Sequence, residues 1–453
     1  MPPLLILAGS VALVIGLIVW ARLHAFLALL IGATCVALAT PVITLADVPL
    51  AVTTEFGAVV GRIGVIIALA SFIGIGLQQS GGAARIGAFF LSLTGQRRGH
   101  YAMAASGYVL SIPVFFDTVF YLLVPLARAM HASARWGYPL YLTAVMAGAA
   151  ATHVFVPPTP GPLAAASQLG VDLGLMIVMG VIVSMVGCTC GVAYARWALR
   201  RWPSIASGVQ EEIEVSAAAA PVAAAVSGPG LALSLLPIAL PLVLIASRTA
   251  STAMGLTGPL ASVIAFVGDA NIALFGATLA TVYLLVATRR ASRQKIARMA
   301  EGAFESAGTI ILITAAGGAY GAMLTRAQVG ATLADEAAAV GLPLLLMAFL
   351  LASLLKVAQG SSTVAIITTA SVLAATYSGP AAAAAPHPVY AALAAAGGSL
   401  VVSWMNDSGF WIVARMGRLT TAETLRLWTV TAAIVGTSGF LAVLLLEFLL
   451  PLR

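Results

Sequence analysis

Charge is what this chain has least of. Of its 453 residues only 8% are charged while 61% are hydrophobic, too little polar surface to cover a soluble domain of that length. Lysine is nearly missing: Lys295 and Lys356 are the two, and they follow Gln294 and Leu355. No Gly-Lys-Ser/Thr phosphate loop is therefore present, which excludes ATP-driven pumping through such a loop. Cysteine is scarce too. Cys35, Cys188 and Cys190 fall within apolar runs, and Cys-Thr-Cys is not a zinc spacing, so they read as packing residues, with no metal or cofactor expected. The net charge of +7 does not call for nucleic acid, because positive residues accumulate in the cytoplasmic loops of membrane proteins.

What the chain has instead is long apolar runs. Runs of about 17 to 25 residues can cross a bilayer as helices. Spans are expected near residues 4–21, 24–44, 59–80, 138–172 and 175–195, and again near 229–248, 270–288, 306–325, 388–415 and 425–450. The first of them lacks the basic start and small-residue cleavage site of a leader peptide. Two more apolar segments, 100–130 and 342–378, are interrupted in the middle and read as re-entrant hairpins.

The expected fold class is thus an all-α polytopic membrane protein. Five spans and one hairpin per half give the halves opposite topology, the inverted-repeat plan of many secondary transporters. The first repeat is expected over 1–202 and the second over 229–453. Gly64, Ile66, Ile67 and Gly74 recur as Gly308, Ile310, Ile311 and Gly318. Residues 203–228, rich in Ala, Pro and Ser, read as a cytoplasmic linker. Ser292 to Phe304 reads as a basic amphipathic helix on the cytoplasmic surface. Placing Arg97, Arg98, Arg128 and Arg135 inside brings most other arginines inside and leaves both termini outside.

Chain breaks mark the candidate site. Pro157, Pro158, Pro160 and Pro162 around Thr159 and Gly161 cannot continue a helix. Asn406, Asp407, Ser408 and Gly409 break the corresponding span of the second half. Pro113 and Asp117 interrupt the first hairpin, and Gln359, Gly360, Ser361, Ser362 and Thr363 the second. Irregular backbone at membrane depth persists only where protein buries it or a solute pathway runs along it. The four breaks are expected to meet near the midplane, where half-helix N-termini offer unpaired N–H groups to a small anion. The hydroxyls of Thr118, Thr159, Ser361, Ser362, Thr363 and Ser408 suit a polyol acid.

Asp117 and Asp407 are the two acids this map puts deep in the membrane, where a charged carboxylate costs about 2.5–3.5 kcal/mol. Either carries a proton or caps a half-helix as a permanent carboxylate. His153, one turn before the proline cluster, takes part in proton transfer or is a hydrogen-bonded core histidine. Lys356 pairs with the substrate carboxylate, pairs with an aspartate, or snorkels to the surface.

At four stretches the chain resembles the gluconate:proton symporter (gluconate permease) family of the ion transporter superfamily: IPVFFDTVFYLLVPLA (Ile112 to Ala127), HVFVPPTPGPLAAA (His153 to Ala166), KVAQGSSTVAIITTA (Lys356 to Ala370) and SWMNDSGFWIV (Ser403 to Val413). The resemblance implies a proton-coupled inner-membrane importer of sugar acids or related hydroxy acids, with a small organic anion and a proton as partners. It also implies a homodimer, with a scaffold of approximately 1–95 and 229–340 and a mobile transport domain of approximately 96–200 and 341–453. Asp117 stands where gluconate-type members carry Glu, and Thr159 where they carry His, which leaves a shorter hydroxy acid open. Competing readings are a sodium-coupled carboxylate transporter, a passive anion channel, and an intramembrane aspartyl protease with Asp117 and Asp407 as a dyad.

Overall fold

Prolines and glycines divide the apolar sequence into helices, and alanine and glycine decide which of those helices approach most closely. The computed structural model describes residues 2–95, 98–134, 137–202, 229–288, 292–329, 332, 343–378, 385–405 and 407–452. The expected linker at 203–228 lies outside them, as do Asn406, Arg97, Arg135, Arg289 and Arg290. The described residues are helical or irregular, without strands.

In the first half the helices are α1 (Pro3–Val19), α2 (Ala25–Ala39), α3 (Val48–Ser80), α4 (Gly82–Thr94), α5 (Gly99–Leu110), α6 (Phe116–Ala134), α7 (Tyr138–Phe155), α8 (Pro160–Leu169) and α9 (Leu173–Arg201). The second half has α10 (Leu231–Ala253), α11 (Pro259–Val267), α12 (Ala270–Ala287), α13 (Arg293–Arg326), α14 (Leu344–Gln359), α15 (Ser362–Tyr377), α16 (Pro388–Gly398), α17 (Ser408–Gly417) and α18 (Thr421–Thr424). A π-helical turn at Leu425–Thr429 then leads into α19 (Val430–Leu449). Among the described residues seven helical stretches are long and apolar enough to cross a membrane. The arms flanking the hairpin breaks and the broken spans are mostly shorter.

Two elements differ from the expected map. The segment from Ser292 to Phe304 is not a separate surface helix, because it runs without a break into α13, a helix of 34 residues capped by the Ser292 hydroxyl, which accepts from Lys295 N at 3.3 Å. No proline lies between Arg293 and Arg326, and near the expected end of the surface helix the glycines Gly302 and Gly308 stand singly, which does not stop a helix. Likewise α3 begins at Val48 rather than near 59. Thr53, Thr54 and Glu55 dilute the apolar run there, but Pro49 in the first turn suits a helix start. At 1.5 Å per residue both helices reach about 50 Å, well beyond a hydrocarbon core of about 30 Å, so they tilt or project. Helices α4 and α11 occupy segments the hydropathy map leaves unassigned.

The deepest part of the molecule is built by α7 and α16, the first arms of the two broken spans. Nearly every side chain from Tyr138 to Phe155 is buried, as is every residue from Val389 to Gly398. Both are Ala- and Gly-rich, which lets backbones meet where lipid offers no hydrophobic drive. A Cβ on Gly148 would lie 2.1 Å from the Ala104 carbonyl oxygen of α5, and one on Gly398 would lie 2.1 Å from that of Phe349 in α14. Each buried arm thus leans on the hairpin of its own half. Outside them, α10 and α12 turn Val243, Phe275 and Tyr283 outward, as lipid-facing helices do. Helices α3 and α13 cross antiparallel, with Gly64 against Ile311 and Gly318 against Val59.

Candidate functional site

Each break is a local consequence of its residues. After α5 the chain leaves helical geometry from Ser111 to Phe115, around Pro113, and α6 starts at Phe116 with Asp117 in its first turn. Between α14 and α15, Gly360 takes a left-handed φ of 85°, open to glycine at little cost. Ser361 then caps α15, its hydroxyl accepting from Val364 N at 3.3 Å. The α7 helix ends before the Pro157-Pro158 pair, joined by a cis bond. Between α16 and α17 the chain is irregular from Ser399, includes Val402 at φ 56°, and re-enters helix with Asp407 as cap.

Three of these four breaks open on one cavity of about 600 Å³. The first turns of α6, α15 and α17 reach it through Asp117 and Thr118, through Gly360, Ser361, Ser362 and Thr363, and through Asp407, Ser408 and Gly409. Helices of 19, 16 and 10 residues therefore direct their positive ends at the same space. His153 lines it from α7, with its ring edge-on to Phe115 at 6.2 Å, and its Nδ1 is buried with no hydrogen-bond partner among the described residues. Phe116 packs at a tilt against Trp428, ring centroids 4.6 Å apart, and both line the cavity.

The fourth break sits elsewhere. Thr159 is 4% exposed, donates to the Val156 carbonyl at 2.6 Å, and faces a separate void of about 10 Å³ beside Ser71 and Pro113. Gly161 abuts Ile366 and Thr363, so α8 buttresses the first turns of α15 from behind. Asn406 lies outside the described residues.

The two acids differ in their partners. Asp407 Oδ1 accepts from Gly409 N at 2.9 Å, and its Oδ2 accepts from Lys356 Nζ at 2.9 Å. The same ammonium donates to the Gly360 carbonyl at 2.6 Å. With its side chain only 1% exposed, Lys356 reaches no surface, and it does not line the cavity. One cation thus ties the tip of the second hairpin to the cap of the second broken span. Ser362 adds to that tie by donating to the Ser399 carbonyl at 2.8 Å. Asp117 lines the cavity without a hydrogen bond to any described residue. A cavity with three helix N-termini, several hydroxyls, a neutralised Asp407 and one partnerless carboxyl can hold a small anion and a proton side by side.

Hydropathy gave no reason to include Ser306, Ile310 and Ile313, which line the cavity from α13. Their one signal was the repeat match at Ile310. Phe115 and Phe116, which also line the cavity, lie inside the first-hairpin motif, where Pro113, Asp117 and Thr118 carried the signal. Among the described residues no cluster of His, Cys, Asp and Glu could hold a metal ion.

The GntP family permease profile matches residues 1–449. The chain is 34% identical to the inner membrane permease YgbN of Escherichia coli (strain K12), covering 96% of each protein. It is 30% identical to the low-affinity gluconate transporter of the same strain, covering 95% of each. These relatives are permeases and transporters rather than enzymes, which sets the protease reading aside. Among solved structures Neisseria gonorrhoeae MtrF shares the fold, with a TM-score of 0.67 at 12% identity over 97% of this chain and 98% of that one.

Proposed function

We propose that this chain, which belongs to the GntP permease family, is an inner-membrane secondary transporter that imports a small hydroxy carboxylate together with a proton. The observation that carries the reading is the asymmetry of its two deep acids: Lys356 neutralises Asp407, while Asp117 borders the same cavity unpaired. In this reading Asp117 takes the proton, and Asp407 is a structural cap. The substrate carboxylate lies against the N–H groups at the starts of α15 and α17, with the hydroxyls of Thr118, Ser361, Thr363 and Ser408 on its polyol part. His153 stands by as a second proton group. The gluconate transporter among the relatives points to sugar acids, and Asp117 in place of Glu leaves shorter hydroxy acids within the class.

The cavity wall supports an elevator movement, because Ser306, Ile310 and Ile313 come from a helix of the scaffold segment 229–340, while the other lining residues named above come from the transport segments 96–200 and 341–453. Sliding one against the other would carry the site across the membrane. The inverted repeat gains support from paired close approaches: Gly148 on Ala104 in one half, Gly398 on Phe349 in the other. Homodimerisation and outward-facing termini complete the proposal.

If a monovalent acid moves with one proton, no net charge crosses. The membrane potential, worth about 2.3 kcal/mol per charge per 100 mV, then contributes nothing. In proteoliposomes an inward pH gradient alone should concentrate gluconate, glycerate or 3-hydroxybutyrate. Asp117→Asn should abolish that accumulation and retain counterflow exchange. Uptake that follows sodium and ignores the pH gradient would overturn the reading.

A further inference from the structure

A second cavity, of about 870 Å³, opens between the start of α5 and the end of α9, away from the site above. Arg98, Arg196 and Arg200 line it with His100, Tyr101 and Tyr141, and no acidic side chain does. Among the described residues no carboxylate pairs with the three arginines. Arg196 donates to the Tyr101 hydroxyl at 3.1 Å, which holds its guanidinium at the cavity edge. His100 is only 9% exposed, and its Nε2 is buried without a hydrogen-bond partner among the described residues. Three guanidiniums without a carboxylate partner among the described residues, beside a histidine with an unsatisfied ring nitrogen, make this cavity a positively charged space suited to an anion.

Tyr101 and Arg196 also line a neighbouring furrow of about 420 Å³, so the furrow adjoins the basic cavity. The furrow runs between α5 and α9 over Ala104, Ala105, Val109, Met185 and Val192. Its floor is fastened by Tyr108, whose hydroxyl lies 2.7 Å from that of Ser184. Trp197 and Tyr101, 52% and 41% exposed, flank the basic end. Tryptophan and tyrosine settle at the headgroup level of a bilayer, which places the arginines at phosphate depth and the furrow among the acyl chains.

We infer that this basic cavity and its apolar furrow form a binding site for one anionic phospholipid, its phosphate held by Arg98, Arg196 and Arg200 and one acyl chain laid along α5 and α9. Neutral lipids offer the same chain without the net charge, so preference for the anionic headgroup is the signature.

Native mass spectrometry of the detergent-solubilised full chain tests this with phosphatidylglycerol, phosphatidylcholine, glycerol 3-phosphate and inorganic phosphate as probes. Phosphatidylglycerol should be retained preferentially. Arg196→Gln and Arg200→Gln, both exposed side chains, should each lower its affinity about fivefold. Ala193→Trp fills the furrow from its exposed edge and should displace the lipid with every arginine in place. Equal retention of phosphatidylcholine overturns the proposal, as does glycerol 3-phosphate or inorganic phosphate binding as tightly as the whole lipid. Efficient disulfide cross-linking of Ala193→Cys between two copies in a background without native cysteines, with no lipid adduct, makes the face a contact between copies and overturns it too.

Discussion

Replacing Lys356 by methionine keeps most of the apolar stem and removes the charge. The ammonium lies 2.9 Å from Asp407 Oδ2 and 2.6 Å from the Gly360 carbonyl, and the two side chains are 1% and 12% exposed. Asp407 is left with Gly409 N–H as its one remaining hydrogen-bond partner among the described residues. Breaking a buried pair by deleting one member costs about 3–5 kcal/mol, mostly as the uncompensated charge left behind. Because Asp407 borders the cavity, where water can reach its carboxylate, the lower end applies and Lys356→Met should lose about 3 kcal/mol. Lys356→Met with Asp407→Asn removes both charges and should lose less than the sum of the two single changes, with a coupling energy of about 2 kcal/mol. Equilibrium unfolding in mixed micelles measures all four corners of that cycle. Additive losses, or a Lys356→Met variant as stable as the parent, would refute the ion pair as the clasp between hairpin and broken span.

Ser306→Cys, in a background lacking Cys35, Cys188 and Cys190, should react with a membrane-impermeant thiol reagent, and a transported acid should slow the reaction. Labelling rates followed by mass shift check this, and a rate indifferent to every transported acid would remove α13 from the site. Ser361→Ala removes the cap of α15, worth about 1 kcal/mol, and should raise KM about fivefold with little change in kcat. The concentration dependence of initial uptake reads it. Gly148→Ala forces a methyl to within 2.1 Å of the Ala104 carbonyl oxygen and should abolish the monodisperse folded species in size exclusion, whereas Gly302→Ala, with nothing within 4 Å, should be neutral or stabilise by up to about 1 kcal/mol. Comparable behaviour of the two variants would show that α5 and α7 do not pack as closely as described.

Apolar runs, their interruptions and the residue types at each interruption are properties of the chain alone. Membrane class, helical architecture, the breaks at Pro113, Pro157, Gly360 and Asp407, and the choice of Asp117 and Asp407 as deep acids all followed from them, because lipid forbids unpaired backbone and penalises charge wherever the neighbours happen to be. Tertiary structure decided which breaks share a space. Thr159 and Gly161 have the same local chemistry as the other breaks, yet their N-terminus packs behind α15, since only the way helices cross determines what an exposed N–H faces. The pairing of Lys356 with Asp407 joins residues 51 apart, and Ser306 enters the cavity wall from a helix with no break at all. Hydropathy has no means of seeing either, because each depends on distance in space and not on order along the chain.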